Sequence, residues 1–342
     1  MTYDALKDER MDPRARQFVA SIPSGDVLNP ATRDEILAAA STPEALAMQE
    51  FFKELTEGLD DETIAPRTGL RFEDFTVSSS PDGNNVKIQF IRPDNDQVLP
   101  CVYYIHGGGM ATMSCYYGNY RTWGRLIAQQ GVAVAMIDFR NCVSPSSVPE
   151  VAPFPAGLND CVSGLEWVHA NASKLAIDNT KIVVAGESGG GNLTLAVGLR
   201  LNREGRKLAK GLYALCPYIA GIWPQDRLPS STENNGVFIN VHGTGGRVGY
   251  GIEAYEARDP LAWPLFANDA DVTGLVPTVI NVNECDPLRD EGIEFYRLLV
   301  RNGVTARCRQ AMGTFHAAEV IPTVMPELSL AAAVDIAAFC SS

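Results

Sequence analysis

The sequence predicts an α/β fold, a mostly parallel central sheet covered by helices and carrying a helical cap. Three observations predict it. Short apolar runs recur at residues 101–105, 132–138, 181–185, 212–218 and 278–282, each reading as a strand buried on both faces. Amphipathic stretches at 158–171, 189–202 and 291–301 lie between or after them, as crossover helices do between parallel strands. One long interval, 219–274, breaks this rhythm and predicts an insertion.

In chain order, residues 1–70 read as short helices joined by polar turns. Ile36, Ala39 and Ala40 share one helical face, and Met48, Phe51, Phe52 and Leu55 share another over two turns. From Phe72 the pattern turns to strands. Residues 86–91 alternate, and Pro93 and Asp94 form a turn. The apolar runs and helices follow, ending in a strand at 305–310 and a C-terminal helix. Residues 219–274 hold no clean strand–helix unit and are rich in Gly, Pro, Asn and aromatics. The expected organisation is 1–70 as the N-terminal part of a cap, 71–218 and 275–342 as the sheet domain, and 219–274 as the cap insertion.

Composition narrows the function. The net charge is −13, from 28 Lys and Arg against 41 Asp and Glu. An acidic surface repels phosphate backbones, which argues against a nucleic-acid partner. No run approaches the ~20 apolar residues that span a bilayer. Residues 1–13 are polar, without a signal-type apolar stretch, so a cytoplasmic protein is expected. The eight cysteines are scattered with no CxxC pair, so they read as reduced, buried thiols, and no metal site is expected.

The motif richest in chemistry is Gly186-Glu187-Ser188-Gly189-Gly190, between a strand and a helix. A serine on such a turn is lifted out at the end of the sheet, and the helix N-terminus behind it favours a developing anion. A second motif, His106-Gly107-Gly108-Gly109, directly follows the strand at 101–105. Glycines there let backbone N–H groups approach a substrate carbonyl, where each donor is worth about 3 kcal/mol in acyl transfer.

A serine nucleophile needs a base, and there are only four histidines. His106 belongs to the glycine turn, His169 to a helix and His242 to the irregular insertion. His316 follows the last strand, where the sheet delivers a loop to the edge that carries Ser188. Asp286, after the strand at 278–282, is the expected orienting carboxylate, with Glu284 and Asp290 as rivals. The order Ser188, Asp286, His316 is the one the α/β-hydrolase fold uses.

Together these motifs resemble the hormone-sensitive-lipase-like family of esterases, from about Val86 to the C-terminus. HGGG, GESGGGN and DPLRDEG occur in order, and Asp286 and His316 lie 30 positions apart. Runs at 137–141, 259–267 and 283–293 are most similar to a bacterial member that opens a macrocyclic lactone. The resemblance implies an α/β-hydrolase fold with a helical cap and a serine carboxylic ester hydrolase. It implies Ser188, Asp286 and His316 as catalytic residues, and Gly108, Gly109 and Gly189 as oxyanion donors. Two departures stand out: Gly189 replaces a frequent alanine, and Ala317-Ala318 replaces a frequent Gly-Phe.

The expected reaction passes through an acyl-enzyme, needs no metal or organic cofactor, and slows as falling pH protonates the base. Expected substrates are small-molecule esters of short to medium acyl chain, or small lactones. Tyr116, Tyr117, Tyr120, Phe238 and Trp263 are candidates for the pocket wall. A cyclase or acyltransferase on the same triad, or a non-catalytic small-molecule receptor, are the alternative readings. A monomer, or a homodimer formed through the strand at 305–310, is expected.

Overall fold

Eight apolar or alternating segments pair into one sheet in the computed structural model, which describes residues 4–22 and 29–342. The strands are β1 (Leu70–Ser78), β2 (Asn85–Pro93), β3 (Leu99–Ile105), β4 (Ala133–Asp138), β5 (Ile177–Glu187), β6 (Gly211–Leu215), β7 (Thr278–Asn283) and β8 (Ala306–Ala311). Their spatial order is β1-β2-β4-β3-β5-β6-β7-β8. The β1–β2 and β2–β4 pairs are antiparallel, and all others are parallel. β8 lies at an edge, as expected.

The helices are α1 (Pro13–Ser21), α2 (Arg33–Ala40), α3 (Pro43–Glu57), α4 (Gly118–Ala128), α5 (Ala156–Ala170), α6 (Ala172–Leu175), α7 (Gly189–Arg203), α8 (Ser230–Glu233), α9 (Gly245–Glu256), α10 (Asp269–Val272), α11 (Arg289–Arg301) and α12 (Pro326–Ser341). Side chains alternate across the sheet: Tyr103 and Ile105 of β3 join one core layer with α5, α7 and α11, while Val102 and Tyr104 join the other with α4 and α12.

One helix departs from expectation. No helix was predicted between β3 and β4, because Gly118, Asn119, Arg121, Thr122, Gly124 and Arg125 give α4 a polar, glycine-bearing text. The structure accommodates the arginines and Thr122 by pairing them. Arg125 Nε donates to the Ala65 carbonyl at 2.6 Å, and its Nη2 reaches Asp60 at 2.6 Å. Gly124 lets the helix press on β4, where a β-carbon would lie 2.7 Å from the Met136 sulfur.

The N-terminal expectation holds for α1, α2 and α3, while residues 1–3 and 23–28 lie outside the described residues. Residues 219–274 carry α8, α9 and α10 and no long strand, with α9 broken at Gly251. α9 packs on α2, so the first and the inserted segments meet. The insertion is anchored where it leaves the sheet. Glu291 of α11 accepts the Ile219 N–H at 2.5 Å, the Ala220 N–H at 3.2 Å and the Trp223 indole at 2.6 Å. Among the described residues, no helix is long and apolar enough to cross a membrane.

Candidate active site

The turn from β5 into α7 holds Ser188 at φ 56°, ψ −119°, a backbone conformation that side chains rarely adopt. Three backbone hydrogen bonds hold it there. The Ser188 N–H donates to the Leu215 carbonyl at 3.0 Å, and its carbonyl accepts from Asn192 at 2.9 Å and Tyr218 at 3.1 Å. The strain presents the hydroxyl at the C-terminal edge of the sheet.

The glycine turn after β3 faces this serine. Gly108 has φ 88°, and a β-carbon on it would lie 2.2 Å from the Thr112 carbonyl. The N–H groups of Gly108 and Gly109 have no hydrogen-bond partner among the described residues. The Gly189 N–H, first in α7, has none by helix geometry. Gly189 also sets how close the two turns sit. A β-carbon there would lie 2.5 Å from the Met110 nitrogen and 2.7 Å from that of Gly109. The departure from alanine at this position therefore has a structural consequence: the donor turn is seated in space an alanine would fill.

His106 is structural. It stacks on Phe139 at 4.4 Å, and its Nε2 lies 3.5 Å from Asp138 in a fully buried pair. Burial alone would raise the Asp138 carboxyl, but the His106 imidazole beside it and the Ser147 N–H that donates to it outweigh burial and hold the group at about 2. His242 is tied to the Ser231 carbonyl at 2.7 Å.

His316 Nδ1 lies 2.8 Å from Asp286 Oδ2, and both residues are buried. The second Asp286 oxygen accepts the Leu288 N–H at 2.8 Å. An ionised Asp286 accepts from Nδ1–H, which leaves Nε2 as the basic nitrogen. The two rivals are engaged elsewhere. Glu284 accepts the Gly313 N–H at 2.7 Å, and Asp290 accepts the Ser230 N–H at 2.7 Å. Ala317 follows at φ 59°, so the alanine that replaces the family's glycine adopts a glycine-like backbone. Cys216, Asp286 and His316 place possible ligand atoms within 4.8 Å of one another. A metal there would have to displace the His316–Asp286 hydrogen bond, and burial pushes the Cys216 thiol well up.

Gly108, Gly109, Ser188 and His316 line one cavity of about 450 Å³. Its outer wall is largely apolar, with Phe18 of α1, Phe52 and Leu55 of α3, and Phe238, Ile239 and Val241 beside the polar Asn240. No lysine or arginine is among the described residues lining it. Phe238 reaches this wall and packs on Phe315 at 5.0 Å. Tyr120 also reaches it, but its hydroxyl is committed to Glu187 at 2.5 Å. The other three aromatic candidates do not line the cavity. Tyr116 and Tyr117 open onto a separate cleft beside Lys53 and Lys87, where the Tyr116 hydroxyl donates to Asp74 at 2.8 Å. Trp263 is fully buried against Tyr218, Trp223 and Tyr250, because the insertion folds its aromatics inward as a core.

One residue went unread inside the serine motif itself. Glu187 is buried, and its carboxylate accepts the Gly107 N–H at 2.6 Å and the Tyr120 and Tyr104 hydroxyls at 2.5 Å each. Burial pushes this carboxyl above its ordinary value, against the phenol hydrogen bonds that favour the charged form. Glu187 thus ties the glycine turn to the serine turn. An acidic residue between a glycine and the serine was the available signal.

Comparison with known proteins decides the family. The alpha/beta hydrolase fold family matches residues 102–320. This chain belongs to that family. It is a carboxylesterase-type hydrolase of the hormone-sensitive-lipase-like kind. It is 30% identical to carboxylesterase NlhH of Mycobacterium tuberculosis over 79% of this chain and 82% of that one. The structure of esterase Est22 superposes with a TM-score of 0.98 at 58% identity, covering 99% of both chains. Brefeldin A esterase, a bacterial homologue of human hormone sensitive lipase, superposes at 0.88 with 33% identity over 98% of this chain and 95% of that one.

Proposed function

We propose that this hydrolase cleaves carboxylic esters by a two-step acyl transfer through Ser188. The observation that carries the reading is the His316–Asp286 pair at 2.8 Å, on the same cavity as a serine held at φ 56°. His316 Nε2 takes the Ser188 proton as Oγ attacks the ester carbonyl. The N–H groups of Gly108, Gly109 and Gly189 hold the oxyanion. His316 returns the proton to the departing alcohol, then activates water to release the acid. Asp286 keeps the imidazole oriented and stabilises its cationic form.

The α1–α3 region and residues 219–274 act as the cap. The largely apolar 450 Å³ cavity suits short to medium acyl esters or small lactones. All eight cysteines are free thiols, consistent with a reducing, cytoplasmic setting.

The test is turnover of p-nitrophenyl esters of increasing acyl length by the wild type and by Ser188→Ala. Hydrolysis of short esters, lost by at least about 10⁴-fold in the variant, is expected. Undiminished turnover in Ser188→Ala refutes the acyl-enzyme.

A further inference from the structure

Asn119 stands out on the cavity wall. It sits in the first turn of α4 and is only 4% exposed. Its Oδ1 is sealed from solvent and has no hydrogen-bond partner, and its amide donates to no described residue. Buried amides are normally paired, and an orphaned one calls for a reason. Asn141 and Asn192 also leave an oxygen unpaired, but their Nδ2 groups donate to main-chain carbonyls at 2.8 Å and 2.9 Å. Asn119 has no such anchor, and it faces the cavity shared by Ser188 and His316.

Gly118 is pressed against the end of α3, where a β-carbon would lie 2.3 Å from the Thr56 carbonyl oxygen. Neighbouring polar groups on the wall are already used. The Tyr120 hydroxyl donates to Glu187 and accepts from Gly107, and the Thr56 hydroxyl donates to the Lys53 carbonyl at 2.8 Å. The amide is thus an uncommitted polar group on a largely apolar wall. With its oxygen sealed, the amide presents its Nδ2 to the cavity as a donor, and a substrate hydroxyl oxygen accepts from it. A charged substrate group finds no cationic partner here, since no lysine or arginine lines the cavity among the described residues.

We propose that Asn119 is a specificity-determining residue that binds a hydroxyl on the substrate, so that this enzyme prefers hydroxyl-bearing esters over alkyl esters of the same shape. The proposal rests on the esterase site described above. Wild type, Asn119→Leu and Asn119→Ala are compared on three isosteric pairs: ethyl 3-hydroxybutanoate against ethyl 3-methylbutanoate, ethyl 2-hydroxypropanoate against ethyl 2-methylpropanoate, and 2-hydroxypropyl butanoate against 2-methylpropyl butanoate. The readout is the ratio of kcat/KM within each pair. A poorly folded fraction cancels from that ratio, and intrinsic substrate reactivity cancels between wild type and variant. For at least one pair the wild-type ratio is expected to exceed that of both variants by about tenfold or more. Ratios that are the same in wild type and variants for all three pairs overturn the proposal. Turnover surviving in Ser188→Ala would instead overturn the underlying acyl-enzyme, so the two failures are distinguishable.

Discussion

Ser188 and the groups around it show how little slack the site has. The β-carbon that Gly189 lacks would fall 2.5 Å from the Met110 nitrogen, closer than such atoms approach. Gly189→Ala must therefore push the Gly108–Gly109 donors away from the serine. Loss of one oxyanion donor costs about 10²–10³ in kcat; this variant is expected to lose at least about tenfold in kcat with little change in KM, by steady-state kinetics on a short ester. Glu187 works through its neighbours. Glu187→Gln puts an amide N–H among three donors, leaving one of them without an acceptor at about 1–3 kcal/mol. Lower stability by denaturant unfolding is expected, together with a fall in kcat as the glycine turn loosens. Unchanged kcat in a folded Glu187→Gln protein would mean that Gly107 needs no tether.

Elements acquire their roles from contacts that local pattern does not encode. α4 is held by partners far off in sequence: Asp60 and the Leu59 and Ala65 carbonyls, which pair its arginine and threonine, lie about sixty residues upstream. α3 shows the converse. Its Met48–Phe51–Phe52–Leu55 stripe forms a helix as the spacing predicts, yet Met48 and Phe51 are exposed while Phe52 and Leu55 face the cavity. The insertion depends on Glu291, whose carboxylate gathers three N–H donors at the start of residues 219–274. Burial pushes this carboxyl up to about 8 despite those donors. Glu291→Ala leaves all three donors unpaired, so faster proteolysis within 219–274 is expected in limited digestion, with the sheet domain cut more slowly. Equal cleavage of wild type and variant would show that the aromatic cluster alone holds the segment.

Across the chain, distant segments converge on His316. Phe18 of α1 stacks on Phe315 at 5.6 Å, and Phe238 of the insertion meets both rings. Stability carries an acid-sensitive component at the back of the site. Asp138 is held at about 2, below its ordinary 3.8. Its contribution, about 2 kcal/mol, is complete above about pH 4 and is lost as the pH falls through about 2. Denaturant unfolding of Asp138→Asn is expected to show lower stability at neutral pH and a flatter decline between pH 4 and 2. A decline as steep as wild type would place the acid sensitivity elsewhere.

The strands of the sheet and the helices α5, α7 and α11 were legible because apolar periodicity is a local property that burial on two faces imposes directly. The serine turn, the glycine turn and the order of Ser188, Asp286 and His316 were legible because each needs particular residue types at a particular strand end. The pocket was not. Tyr116, Tyr117 and Trp263 looked as suitable as Phe238, and only the path of the chain sent them to a side cleft or an internal cluster. Asn119 carried no pattern of its own, and Glu187 only its place inside the serine motif. Their meaning comes from partners gained or missing in three dimensions, because hydrogen-bond satisfaction is a property of neighbours in space and not of neighbours in sequence.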